Sequence, residues 1–182
     1  LGDETLRAID GAVCRYGPDS DGDRSRFRLT PPHTAYLRIA EGCDQRCTFC
    51  TIPAIRGRFR SKPPKKILKE ARHLVSAGSR ELNLIAQDTA YYGKDLKIKN
   101  GLASLIKKLD SIPDLHWLRL MYIYPERIND KLIERIVESP KTLPYLDIPI
   151  QHVNSRILKA MRRPDTSDSI HTLIEKLRES ID

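Results

Sequence analysis

Long apolar runs are absent. Nothing in the 182 residues approaches the roughly 18 consecutive apolar residues of a membrane span, and no secretory pattern is visible. A cytoplasmic location with reduced thiols and no membrane partner is therefore the expectation. Aromatic residues are scarce, 6% of the chain, and no strand pattern carries the paired exposed aromatics on which an RNA-binding sheet stacks bases. The five histidines, His33, His73, His116, His152 and His171, do not pair with one another or with cysteine at ligand spacing, which excludes a histidine-based metal site. Cysteine is also sparse and oddly distributed: of four, three fall between 43 and 50, and Cys14 lies 29 residues upstream of Cys43. Three thiols so crowded cannot all pair, and bridges among them would close short, strained loops.

What is present is the run Glu41-Gly42-Cys43-Asp44-Gln45-Arg46-Cys47-Thr48-Phe49-Cys50. Three thiolates at C-x-x-x-C-x-x-C spacing can hold three irons of a [4Fe-4S] cube, leaving the fourth iron without a protein ligand and open to chemistry. A structural zinc site wants four closed ligands, usually as two cysteine pairs. A zinc-stabilised nucleic-acid-binding module using the same cysteines stays open as an alternative, but it lacks a fourth ligand. The net charge is +8 and unevenly placed: residues 51 to 73 hold Arg56, Arg58, Arg60, Lys62, Lys65, Lys66, Lys69 and Arg72 against Glu70 alone, a net of +7. This run directly follows the cysteines. It reads either as a phosphate or nucleic-acid footprint or as a solvated helix face.

Residues 1 to 30 are polar and without periodicity, as in a linker. From residue 34 strand and helix patterns alternate. Strands are expected at Ala35 to Ala40, Leu82 to Ala86, Trp117 to Ile123 and Tyr145 to Ile150. Helices are expected from Lys65 to Ala77, around Leu102 to Leu109, and from an Asn129 cap to Glu138, with a short one capped by Asn154 and a last one carrying Ile170, Leu173, Ile174 and Leu177. Such alternation gives an α/β fold, here a partial TIM-type (β/α) barrel with four parallel strands. Reactive groups in such barrels gather at the carboxyl ends of the strands. Those positions hold the cysteine loop, Gln87-Asp88-Thr89, Tyr122 with Tyr124-Pro125-Glu126, and Gln151-His152.

These motifs resemble the radical S-adenosylmethionine methylthiotransferase family and, within it, the ribosomal-protein (RimO-type) branch, which methylthiolates an aspartate of small-subunit ribosomal protein twelve. The likeness is carried by Leu29-Thr30-Pro31-Pro32-His33 leading into the cysteine loop, by Ile85-Ala86-Gln87-Asp88-Thr89 with Tyr92-Gly93, by Tyr145-Leu146-Asp147-Ile148-Pro149-Ile150-Gln151-His152, and by Ile157-Leu158-Lys159-Ala160-Met161-Arg162-Arg163. The resemblance implies that residues 31 to 182 form a truncated radical SAM core and that residues 1 to 30 link it to a missing N-terminal methylthiotransferase domain. It implies an enzyme whose Cys43, Cys47 and Cys50 hold the cluster and whose S-adenosyl-L-methionine is cleaved to a 5'-deoxyadenosyl radical. Phe49, Gln87, Gln151 and Arg163 would face that cofactor; Asp88, Tyr124 and His152 would face substrate. The implied partners are ribosomal protein twelve or the small ribosomal subunit and an electron donor such as flavodoxin or ferredoxin, with a second [4Fe-4S] cluster in the full-length parent. The transfer-RNA branch of the same family is the alternative substrate reading. This segment lacks the family's upstream cysteine trio and its C-terminal β-barrel, so alone it is not expected to complete methylthiolation.

Overall fold

A computed structural model describes residues 30–181; Cys14 and all but the last residue of the segment read as a linker lie outside them. Four strands, β1 (Thr34–Arg38), β4 (Glu81–Ile85), β5 (Trp117–Leu120) and β6 (Thr142–Leu146), form one sheet in that order, each pair parallel. Two short strands, β2 (Ala40–Glu41) and β3 (Arg60–Ser61), pair antiparallel beside it. The helices are α1 (Ile52–Arg56), α2 (Pro64–Ser76), α3 (Gly101–Asp110), α4 (Asp130–Glu138), α5 (Ser155–Ala160) and α6 (Ser167–Ser180). The α/β architecture with four parallel strands is the one the strand-helix alternation calls for.

Side-chain alternation in the strands decides where the core sits. Ala35 and Leu37, Leu82 and Leu84, and Leu118 and Leu120 are all buried on one face, against Ile67, Ala71, Leu74 and Val75 of α2 and Leu102, Leu105, Ile106 and Leu109 of α3. Removing a leucine-sized aliphatic side chain from water contributes roughly 1.5–3 kcal/mol, so these fourteen residues dominate the favourable side of folding. The opposite face is polar. Asn83 Nδ2 donates to Thr34 Oγ1 at 3.0 Å, Arg119 Nε donates to Glu81 Oε1 at 2.7 Å, and the Arg119 guanidinium lies 4.9 Å from the Tyr145 ring centre.

Helix starts follow the chemistry of their caps. Asn129 Oδ1 accepts from Leu132 N at 3.0 Å and Asn154 Oδ1 from Arg156 N at 3.0 Å, while Thr166 and Ser169 form a reciprocal capping box at the start of α6. Gly101 opens α3 against the chain at Tyr92: a β-carbon there would lie 2.1 Å from the Tyr92 carbonyl oxygen, a distance no side chain tolerates.

Three strand expectations need correction. The first strand ends at Arg38, and Ala40–Glu41 turns off to pair with β3, which redirects the chain into the cysteine loop. The third stops at Leu120, because Tyr122 takes a left-handed φ of 56° that a strand cannot hold. The fourth spans Thr142–Leu146, not Tyr145 to Ile150. Its register against β5 slips between Leu118 and Leu120, where Pro144 has no N–H to give to the ladder; Pro149 is equally unable to extend it. The last helix buries only Ile170 fully, and Leu173, Ile174 and Leu177 are half-buried.

Candidate cluster and cofactor site

The cysteine loop has no regular structure and is held by borrowed contacts. At its entry Gly42 has φ +81°, and a β-carbon there would sit 2.2 Å from the Arg58 carbonyl oxygen; only glycine allows the loop to pass so close to the 57–58 backbone. Cys43 N donates to the Gly57 carbonyl at 3.2 Å, and Asp44 Oδ1 accepts from Phe59 N at 3.1 Å and Arg58 Nε at 3.3 Å. On the far side Thr48 N donates to the Met161 carbonyl and Thr48 Oγ1 to the Ala160 carbonyl, both at 3.2 Å. The loop is thus clamped between residues 57–59, just before β3, and the end of α5, the latter more than a hundred positions along the chain.

Cys43, Cys47 and Cys50 are all free and half-buried. They lie near enough for the charges of Cys47 and Cys50 to act on Cys43, whose thiol is pushed up first by burial and pulled back by the Gln45 N–H, 3.4 Å from its sulfur. Among the described residues no three Cys, His, Asp or Glu side chains converge on one metal ion. A cube binds each thiolate to a different iron, so it does not need the three sulfurs to meet at one point.

Behind the loop sits a layer of buried polar groups. Glu41, buried, pairs with Arg38, lies 3.7 Å from Arg56 Nε and accepts from Gln87 Nε2 at 3.2 Å. That bond turns the Gln87 carbonyl oxygen away, and Gln87 Oε1 has no protein partner; nor have Asp88 Oδ1, Thr89 Oγ1 or the Tyr124 hydroxyl. Buried polar atoms seldom stay unpaired, so a group that supplies donors and acceptors fits here. Asp88 is only 2% exposed and its carboxyl is pushed up to about 6 by burial, against the pull of Arg127, whose Nε lies 3.6 Å away, and of Arg163.

Arg163 is buried too. Its Nη2 donates to the Pro149 carbonyl at 2.9 Å, its Nε lies 3.4 Å from Asp165, and its guanidinium covers the Tyr124 ring at 3.7 Å. Tyr124 is therefore inside the rim and not on it, and its phenol is driven up chiefly by burial. Gln151 is exposed at a left-handed φ of 65°, a strained conformation for a residue with a side chain. His152 Nδ1 accepts from Asn154 N at 2.8 Å, which leaves Nε2 as the donor of the ring. Phe49 is 51% exposed, an aromatic face open to a planar ligand. The residues that the sequence reading passed over are Glu41, Asp44, Thr48 and Arg127; the two acids flanking Gly42-Cys43 beside a basic run were the available signal.

The profile of the Radical SAM superfamily matches residues 37–182. The chain belongs to that superfamily. Its relatives include proteins named ribosomal protein uS12 methylthiotransferase RimO from Symbiobacterium thermophilum, 50% identical over 90% of this chain and 34% of that protein, from Clostridium novyi, 45% identical over 93% and 38%, and from Geobacter sulfurreducens, 49% identical over 88% and 36%. The chain spans about a third of the length of these relatives. Among solved structures it is similar in fold to the radical S-adenosylmethionine methyltransferase TsrM from Kitasatospora setae with cobalamin and a [4Fe-4S] cluster bound, at a TM-score of 0.62 and 15% identity over 81% of this chain and 29% of that one. No helix among the described residues of this radical SAM chain is long and apolar enough to cross a membrane.

Two outcomes follow from the geometry. Gly42→Ala should leave far-UV circular dichroism intact and prevent the loop from seating, so reconstituted iron per chain drops severalfold. Asp88 is protonated more readily in the fold than in the unfolded chain, so its contribution favours folding below about pH 4 and is lost as pH rises through 6, by on the order of 3 kcal/mol. Denaturant titrations of the apo-protein between those pH values should show this slope, and Asp88→Asn should flatten it.

Proposed function

We propose that this chain is the catalytic core of a methylthiotransferase acting on an aspartate of small-subunit ribosomal protein twelve. The reading rests on one observation above others: the C-x-x-x-C-x-x-C loop is seated at the carboxyl-end rim of a parallel sheet, in a chain 45–50% identical to uS12 methylthiotransferases. When bound, a [4Fe-4S] cluster with S-adenosyl-L-methionine supplies a 5'-deoxyadenosyl radical.

The chain's own residues hold and orient. Cys43, Cys47 and Cys50 are the cluster ligands, and the clamp through Gly42, Asp44 and Thr48 fixes where they stand. Gln87, anchored by Glu41, presents Oε1 as an acceptor suited to an ammonium group. Arg163, its plane fixed by Tyr124 and Pro149, presents a guanidinium suited to a carboxylate. Phe49 offers a face for an adenine ring, and Gln151 adds an amide at the same rim. Asp88 and Tyr124 line the floor; His152 Nε2–H stands at the mouth, where substrate enters. Polar groups held this way lose little entropy when the ligand arrives.

On this reading the full-length parent carries a second [4Fe-4S] cluster for sulfur delivery, and an electron donor such as flavodoxin or ferredoxin is its reductant. The protein acts in the cytoplasm, where ribosomes and reduced thiols coexist.

Anaerobic reconstitution with iron and sulfide should give about four irons per chain, and Ala at Cys43, Cys47 or Cys50 should abolish uptake while Cys14→Ala does not. Stoichiometric zinc without iron would overturn the cluster assignment. Mass spectrometry of a strain deleted for the parent should show loss of a methylthio group from one aspartate of ribosomal protein twelve. Loss of methylthiolated transfer-RNA adenosines with the protein mark retained would move the substrate to the transfer-RNA branch.

A further inference from the structure

The basic run behind the cysteines is resolved by the fold into an interior pair and a surface. Lys62 and Glu70, the only acid of the run, are both buried and joined Nζ to Oε2 at 2.7 Å. What remains outside is wholly cationic: Arg56, Arg58, Arg60, Lys65, Lys66, Lys69 and Arg72 are all exposed, with no acidic side chain of residues 51 to 73 beside them on the surface. Arg58 is held by Asp44 and Arg56 lies near Glu41, so the loop end of this surface is partly neutralised and tied to the cysteine loop. At the helix end three cations are not. Lys65, Lys69 and Arg72 stand at i, i+4 and i+7 on the outer face of α2, a stripe about 10 Å long at 1.5 Å per residue. No ion pair among the described residues involves any of these three.

We propose that the outer face of α2 is a docking surface for RNA phosphates, placed so that an RNA lying along it is held beside the cysteine rim. Three chemistries would suit cations, and the surroundings choose among them. A protein partner needs a buried apolar or aromatic anchor at the centre of its interface, and α2 exposes no large apolar residue. An anionic membrane surface needs apolar side chains that enter the bilayer beside the cations, and the apolar face of α2, Ile67, Ala71, Leu74 and Val75, is already in the core. Phosphates in a row need only an unbroken line of like charge. With no aromatic on the stripe and two of its three residues lysine, the contact is to the backbone and positions the RNA without reading its bases. Only the identity of the RNA, that of the small ribosomal subunit, rests on the proposed function.

The test uses the full-length, cluster-loaded parent enzyme and the variants Lys65→Glu/Lys69→Glu/Arg72→Glu and Lys65→Gln/Lys69→Gln/Arg72→Gln. The probes are a fluorescently labelled RNA hairpin, purified small ribosomal subunits, polyglutamate, and vesicles containing anionic lipid. The charge-reversed variant should bind hairpin and subunits at least about tenfold more weakly, and the log–log slope of affinity against salt should fall by about 2. The glutamine variant should lose less, with the same change in slope. Iron content and methylthiolation of a free peptide carrying the target aspartate should not change in either. Hairpin affinity equal to that of the parent overturns the proposal, as does a loss seen with polyglutamate or vesicles and not with RNA. A parent that binds RNA through this stripe and does not methylthiolate the peptide would leave this surface standing and refute the proposed function.

Discussion

The cysteine loop cannot hold itself. It has neither helix nor ladder, so its backbone groups and its shape depend on two distant supports. One is the β2–β3 corner, where Gly42 passes against the Arg58 carbonyl and Asp44 gathers the Phe59 and Arg58 N–H groups. The other is the end of α5, whose Ala160 and Met161 carbonyls accept from Thr48. The carbonyls at a helix end lack partners within the helix, and here the loop satisfies two of them. The same junction fixes Arg162 and Arg163, so the three thiols and the buried guanidinium are set by one arrangement. Disturb either support and the thiols and the guanidinium move together.

The sheet contributes by having two unlike faces. Parallel sheets covered on both sides usually read as continuous apolar runs, whereas these strands alternate: Leu37, Leu84 and Leu120 go to the helices, and Thr34, Asn83, Glu81 and Arg119 pair across the other face. A polar inner face ending at a rim of buried, unpaired acceptors is what a polar cofactor requires, since each such group is costly until a ligand satisfies it. Asp88 carries that tension most visibly, being buried beside two guanidiniums and still pushed toward protonation.

The fold was legible where periodicity was strong. The apolar spacing of Ile67, Ala71, Leu74 and Val75, and the Asn129 and Asn154 caps, located α2, α4 and α5 to within a residue or two. The ends of β5 and β6 were not legible, because they depend on the left-handed turn at Tyr122 and on the inability of Pro144 and Pro149 to donate, both of which look like strand residues in an apolar run. At the site, cysteine spacing picked out the three free thiols that the fold places on one loop. Glu41 and Asp44 were signalled only by their place beside the cysteines and the basic run, because their partners Gln87 and Phe59, 46 and 15 residues along the chain, are chosen by the fold. The burial of Tyr124 under Arg163 was hidden in the same way. The charge count for residues 51 to 73 was correct, but only the fold shows that Lys62 and Glu70 neutralise each other inside.

The central claim is that three thiolates on this loop leave one iron open for S-adenosyl-L-methionine. Electron paramagnetic resonance of the reduced, reconstituted protein measures it directly. Saturating S-adenosyl-L-methionine should change the g-values of the cluster, as ligation of an open iron by its amino and carboxylate groups would require. The change should weaken in Gln87→Ala and Arg163→Ala while iron content stays the same. A spectrum identical with and without S-adenosyl-L-methionine, in a protein carrying its full complement of iron, would contradict the account.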